Sequence, residues 1–175
     1  MRDPNKAFEF FKKARIDYMP LGLPKWWYEK SEFEGVFDGY VTKTTFYNQY
    51  PRVPRGLFIN CSRPLLDQLN IRIGLQHATN FEKICDYDFR GDAVRQNTYS
   101  DGYGRFSNKK LVAREFSVTK AAEYFAKAGF TRRDDKGVLM NDQGQKLSFT
   151  ITYTRSPFST ALMTRLKEEA IKAGV

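Results

Sequence analysis

The spacing of apolar residues between Ile71 and Cys85 constrains this chain most. Ile71, Gly74, Leu75, Ala78, Phe81, Ile84 and Cys85 succeed one another at intervals of three or four, with an adjacent pair near each end. That spacing lays them on one face of an α-helix, and an apolar stripe of that length has to be buried against a neighbouring element. The residues leading into it have a different character. Arg55-Gly56-Leu57-Phe58-Ile59-Asn60 reads as a short strand, and Cys61-Ser62-Arg63-Pro64 turns the chain toward the helix. Further along, a helix, hairpin and helix pattern from Ser117 to Val175 points to an α/β arrangement rather than an all-helical one.

Several other elements can be placed. Asp3-Pro4 supplies an N-cap and a proline for the first helical turn, and Ala7, Phe10, Phe11 and Ala14 then share a face. Ile16 to Met19 suggests a brief strand, and Pro24 to Glu29 the first turns of a helix. Trp26 and Trp27 are adjacent and cannot both face one core, so one is expected at the surface. The stretch from Val36 to Tyr50, with Thr42, Thr44, Thr45, Phe46 and Tyr47, favours extended structure. Ser117 caps a helix whose Val118, Ala121, Ala122, Phe125 and Ala128 share a face, and Gly129 ends it. Val138-Leu139-Met140 and the alternating run Leu147 to Tyr153 flank the turn Asn141 to Gln145, which predicts a β-hairpin. Ser156-Pro157 then breaks the strand, and Leu162, Met163, Leu166, Ala170 and Ile171 give a last amphipathic helix. Asp86 to Phe116 has no sustained period and reads as a long irregular excursion, a kind of segment that is usually functional or flexible.

At 175 residues, the chain is long enough to bury a core, and 41% hydrophobic with 28% charged residues argues against disorder. Fifteen Phe and ten Tyr leave more aromatic surface than one core needs. The net charge of +9 permits anionic partners but bears on solubility and long-range attraction, not on the fold. Cys61 and Cys85 are too few for a disulfide framework and lack CxxC spacing. There is no apolar run of membrane-spanning length and no apolar leader. The chain closes on Ala173-Gly174-Val175, where an aliphatic strand would ordinarily begin, so the sequence reads as a piece of something longer.

Enzymatic chemistry finds little support. His77 is the sole histidine, two turns from Cys85 on the same helical pattern, and neither residue has the surroundings of a nucleophile or base. One histidine and two distant cysteines cannot complete a tetrahedral zinc set. Asp86 with Asp88, and Asp134 with Asp135, lie in polar loops where solvated turn residues are the commoner explanation. Gly102-Tyr103-Gly104 lacks the spacing of a dinucleotide loop, and a phosphate-loop sequence is absent. No catalytic residue, cofactor or metal is therefore expected. Basic residues interleaved with aromatics, as in Lys25-Trp26-Trp27-Tyr28 and Arg52 to Arg63, keep a basic nucleic-acid-binding domain as an alternative, without any recognisable signature for it.

Four segments, in order, carry a resemblance to a known family. Lys6 to Tyr18 is similar to a helix-strand unit of the form AL.AFKAGEIDY, with Ala14-Arg15 where Gly-Glu is usual. Leu57 to Ile84 is similar to GLAFNT..PPF.D.RVRQALAYAIDREAI through Asn60, Pro64, Asp67, Arg72, Leu75, Ala78, Glu82 and Ile84. It departs from that pattern at Cys61, Asn70, Gly74 (for Ala) and Asn80 (for Asp). Ser117 to Phe130 follows D..KA..LL.EAG, and Val138 to Val175 follows G...D..GKPLSFTI......F......L...LKKAGV. Together the segments resemble the family 5 extracellular solute-binding proteins, the peptide-binding subunits of ABC importers, and within them the murein-peptide and microcin-binding branch.

The resemblance implies part of a two-lobed α/β fold of the type II periplasmic-binding-protein kind, mainly the onset of the C-terminal lobe. Residues 1–54 would end the first lobe and approach the hinge, 55–60 would form the crossing strand, and 61–175 would be a partial C-terminal lobe. It implies a non-catalytic protein that takes up peptides, partners membrane permease subunits rather than nucleic acid, is monomeric, and works in the periplasm or outside a membrane. Phe58 and Asn60 would lie nearest the cleft. Tyr103 and Arg105 of the excursion are further candidates, because an aromatic ring and a guanidinium suit a peptide carboxylate. The family motif that holds a peptide amino terminus falls after the matched segments, and half the cleft lies outside them, so this stretch alone is not expected to bind tightly.

Overall fold

The predicted buried stripe forms, but as two helices. In the computed structural model, which describes residues 3–22, 24–48, 50 and 54–175, α3 runs Leu69–Ala78 and α4 runs Phe81–Tyr87, following α1 (Pro4–Lys12) and the short α2 (Glu34–Phe37). The break has local causes. The Thr79 hydroxyl donates to the Leu75 carbonyl (2.6 Å), Thr79 itself is extended, and Asn80 caps α4 by accepting from the Lys83 amide (3.1 Å). Asn and Thr compete for backbone partners in this way and favour helix ends over helix interiors.

The core lies where α3 packs against α5 (Val118–Lys127). Ile71, Ala78, Ala121, Phe125, Phe130, Leu139, Leu147 and Ala173 make one buried cluster, with Leu65, Leu66, Leu75, Val118 and Phe149 against its flanks. Gly74 lets the two helices approach closely. A methyl at that position would stand 2.4 Å from a ring carbon of the fully buried Phe125. Helix α5 begins and ends as its sequence predicts, with Ser117 accepting from the Lys120 amide (3.2 Å) and Gly129 at φ +89°.

Arg132–Arg133 (β1) pairs antiparallel with Leu139–Met140 (β2), in the register Arg132 to Met140 and Arg133 to Leu139. The turn between them is held by Asp134, whose carboxylate accepts from the Lys136 and Val138 amides and pairs with Lys146. The Asn141–Gln145 turn closes as predicted, and Leu147 donates to the Leu139 carbonyl (2.7 Å). Beyond Leu147 the predicted second hairpin strand has no ladder partner among the described residues, and Ile151 and Tyr153 are exposed. A strand is completed by pairing, which its own alternation cannot supply.

The last helix, α6 (Pro157–Lys172), starts with a capping box between Ser156 and Ser159 and packs on α3 and α4. The Gly174 carbonyl just beyond it accepts from the Leu139 amide (2.8 Å), joining α6 to the small sheet. On its inner face Glu169 is buried at 2% exposure, accepting from Lys83 (2.6 Å), Lys172 (2.7 Å) and Asn80 (3.3 Å). These hydrogen bonds, first from Lys172 and then from Lys83, pull its carboxyl down to about 2.

The N-terminal elements form a separate aromatic cluster. Phe8, not predicted for the inner face of α1, is the buried residue of that helix, with its ring between Trp26 (5.5 Å) and Phe33 (6.1 Å). Ala14 of the predicted face is exposed, at φ +54°. Trp26 and Trp27 occupy a single π-helical turn and are both half-buried, each covered by an ammonium group, from Lys30 and Lys43 respectively. The strands expected at Ile16–Met19, within Val36–Tyr50 and at Leu57–Asn60 do not pair among the described residues. Arg55 to Asn60 is largely exposed and forms no ladder among the described residues.

Candidate ligand-binding surface

The excursion between α4 and α5 is secured at both ends. At its start, Arg165 of α6 holds Asp88 through two hydrogen bonds (2.7 and 3.4 Å), and Phe89 meets Phe158 edge to face at 5.4 Å. Arg90 then pairs with Glu29 and lies over the Tyr28 ring, whose hydroxyl donates to Asp92 (3.4 Å). These contacts tie the N-terminal cluster to the excursion. At its end, the buried His77 ring donates from Nδ1 to the Glu115 carbonyl (2.8 Å) and stacks on Tyr124, while the His77 carbonyl accepts from the Ser117 amide (2.9 Å). His77 is thus a packed anchor. Cys85 faces a different way of life from a nucleophile too, since burial, followed by the charge of Asp86, pushes its thiol up.

Between these anchors the chain makes a tight loop around Asp101. The loop's aromatic residues point outward: Tyr99 is 65% exposed, Tyr103 38% and Phe106 70%. Gly102 and Gly104 both have positive φ (+86° and +57°), so the Gly-Tyr-Gly sequence serves to turn the chain on either side of Tyr103. A single 3₁₀ turn over Gly104–Phe106 follows, in which the Arg105 guanidinium lies 4.9 Å from the centre of the Phe106 ring. This shields one face of the guanidinium while leaving its edge to solvent.

Phe58 of the crossing segment meets this loop through Tyr99, their rings edge to face at 6.4 Å, and is itself 81% exposed. The structure therefore brings Phe58 to the excursion, with Tyr99 as the link that residue-by-residue reading did not single out. Asn60 has a different local role: its side-chain oxygen accepts from the Ser62 amide (3.0 Å) and shapes the turn into α3. No hydrogen bond or ring contact joins Phe58 or Asn60 to Tyr103 or Arg105 among the described residues. What is observed is an exposed Phe58–Tyr99 pair, with Tyr103 and Arg105 exposed further along the same loop.

Comparison with known proteins identifies this fold. Residues 1–175 match the family described as bacterial extracellular solute-binding proteins, family 5 Middle. The chain belongs to the family 5 extracellular solute-binding proteins. A chain of known structure, NikZ from Campylobacter jejuni in complex with Ni(L-His), superposes over 100% of this chain with a TM-score of 0.69 at 20% identity. That likeness establishes the type II periplasmic-binding-protein fold, of which this chain is a partial lobe. Proteins of Brucella melitensis and Brucella abortus, described as binding proteins, are each 30% identical over 101 residues, or 58% of this chain. The alignment spans 16% of the Brucella proteins, and the chain spans 33% of NikZ.

Family 5 membership favours a solute-binding role over the nucleic-acid alternative. Among the described residues several basic side chains are engaged in ion pairs, including Lys43 with Glu32, Lys83 with Glu169 and Arg165 with Asp88. No group of three or more His, Cys, Asp or Glu side chains is placed to hold a metal ion among the described residues. No helix among the described residues is long and apolar enough to cross a membrane.

Proposed function

We propose that this chain is part of the substrate-capturing component of an ABC importer, a non-catalytic protein that binds peptides in the periplasm or at the outer side of a membrane and delivers them to permease subunits. The observation that carries the peptide reading is the exposed face of Phe58, Tyr99, Tyr103 and Arg105 on a family 5 fold. Exposed rings give apolar contact to side chains of varied shape, and a guanidinium whose edge is open pairs a carboxylate through two parallel hydrogen bonds.

In this reading residues 1–54 close the first lobe, 55–60 cross, and 61–175 begin the second. The weakly buried crossing supports that division, and the Arg90–Glu29 and Tyr28–Asp92 contacts are where the two parts meet. Lobes joined this way rotate about the crossing, and a ligand favours closure to the extent that it contacts the closed form more strongly. Phe58 and Tyr99 would then sit where the lobes meet.

A second reading takes its support from the neighbouring structure, which carries Ni(L-His). Titration calorimetry of the intact protein distinguishes the two. Saturable binding of tri- to pentapeptides with free carboxyl termini is the expected result, with loss of affinity in Phe58→Ala and Arg105→Ala. Binding of the nickel–histidine complex without a response to any peptide overturns the peptide assignment.

A further inference from the structure

Four hydrogen-bond donors converge on one half-buried carboxylate in the excursion. Oδ2 of Asp101 accepts from the backbone amides of Asn97 and Thr98, the latter at 3.1 Å. Oδ1 accepts from the hydroxyls of Thr98 (2.7 Å) and Ser107 (3.3 Å). Asn97 and Ser107 lie at opposite ends of the loop that carries Tyr99, Tyr103 and Arg105, so a single side chain closes it. The base of the loop is fixed in turn by Asn97, whose side-chain oxygen accepts from the Ala113 amide (3.0 Å). With both oxygens accepting twice, Asp101 is committed to the chain around it and not to a ligand or metal.

We propose that Asp101 is a positioning residue for ligand capture: its carboxylate clamps the loop so that Tyr99 meets Phe58 and the Tyr103–Arg105 turn faces the incoming ligand. This rests on the reading of that face as the peptide surface. The physical reason is preorganisation. A loop of glycine, serine and asparagine would otherwise sample many conformations, and ordering it at the moment of binding lowers affinity by the free energy spent on that ordering. Hydrogen bonds from the Thr98 hydroxyl, and then from its amide, hold the Asp101 carboxyl below its ordinary value, so the clamp is charged at neutral pH. An asparagine there keeps the size but replaces one acceptor oxygen with a donor that faces other donors.

In the intact protein, wild type, Asp101→Asn, Thr98→Val, the pair Tyr103→Ala/Arg105→Ala and the triple combination with Asp101→Asn are compared by calorimetry with a tripeptide that wild type binds. Amide hydrogen exchange is measured on each protein. Asp101→Asn is expected to weaken the tripeptide about tenfold, equivalent to ~1.4 kcal/mol. Thr98→Val, which removes one donor and stays closest to the native loop, is expected to weaken it about threefold. Faster exchange should be confined to residues 97–107. In the Tyr103→Ala/Arg105→Ala background, Asp101→Asn should weaken binding by less than it does in wild type, because part of the clamp's effect passes through those two side chains and only the part carried by Tyr99 remains.

Several results overturn the proposal: affinity retained within about twofold by both Asp101→Asn and Thr98→Val, full additivity in the triple variant, or faster exchange spreading into α3 and α5. Should Asp101→Asn fail to fold, Thr98→Val decides by the same criteria. Wild-type protein that binds no peptide refutes the peptide surface itself and the positioning role with it. Wild-type binding with unaffected variants refutes the positioning role alone.

Discussion

Adding one methyl group to Gly74 tests the tightest contact in the fold. An ideal Cβ there lies 2.4, 2.6 and 3.0 Å from Cε1, Cδ1 and Cζ of Phe125, whereas ordinary contact begins at 3.4 Å. The ring must retreat by about an ångström, yet Phe125 is fully buried and has nowhere to go. Overpacking of this kind costs about 1–3 kcal/mol, and the depth of the overlap places Gly74→Ala near the upper end. Alanine in place of glycine inside a helix returns about 1 kcal/mol, leaving a net loss of roughly 2 kcal/mol. Phe125→Leu, which leaves a void, costs on the order of 1–2 kcal/mol alone. In that background the overlap is gone and Gly74→Ala becomes stabilising by about 1 kcal/mol, a coupling of roughly 3 kcal/mol. Urea unfolding of the four proteins, with a shared denaturant slope, measures each term. Equal destabilisation by Gly74→Ala in both backgrounds would show that the Phe125 ring is not what keeps position 74 small.

Other expectations are independent of that pair. Glu169→Ala should cost on the order of 2 kcal/mol by removing charged hydrogen bonds between α4 and α6, read from thermal unfolding, and a loss below about 0.5 kcal/mol would contradict that role. Because the folded carboxyl titrates near 2 and an unfolded glutamate near 4.5, its contribution is fully present above pH ~5 and declines as the pH falls toward 2. Acid titration of Glu169→Gln should therefore lack the part of the stability loss that wild type shows over that window. Ser117→Ala should cost about 1 kcal/mol through loss of the α5 cap, and no change in the unfolding midpoint would count against it. Cys61, which is exposed, should react with a maleimide well before Cys85, whose thiol is held protonated by burial, and equal rates by mass spectrometry would contradict the burial.

Features governed by near neighbours in sequence were the most legible. Asp3 and Ser117 cap helices as their residue types and spacing predict, because a cap needs only the next three amides, and Ser156, read only as ending a strand, caps α6 in the same way. Thr79-Asn80 carried a readable signal for the break between α3 and α4, but the continuing apolar period masked it. Strands were the least legible. Leu57–Asn60 and Leu147–Tyr153 have strand composition, yet pairing depends on distant backbone that composition does not name. Glu169 lies among charged residues of α6, and only the fold brings Lys83 and Asn80 to it. At the candidate surface, the aromatic and basic character of Phe58, Tyr103 and Arg105 was visible, whereas the Tyr99 contact and the Asp101 clamp required the closed loop.

The anchoring of the excursion by Asp88–Arg165 at one end and His77–Glu115 at the other has an evolutionary consequence. Once both ends are fastened to the helices, the entropy of closing the intervening chain grows only with the logarithm of its length, about 0.6 kcal/mol per doubling. Residues can therefore be inserted, deleted or exchanged between the anchors while the α3–α5 core keeps nearly all of its stability. A lineage could change what the outward-facing loop recognises without having to re-solve how the lobe folds.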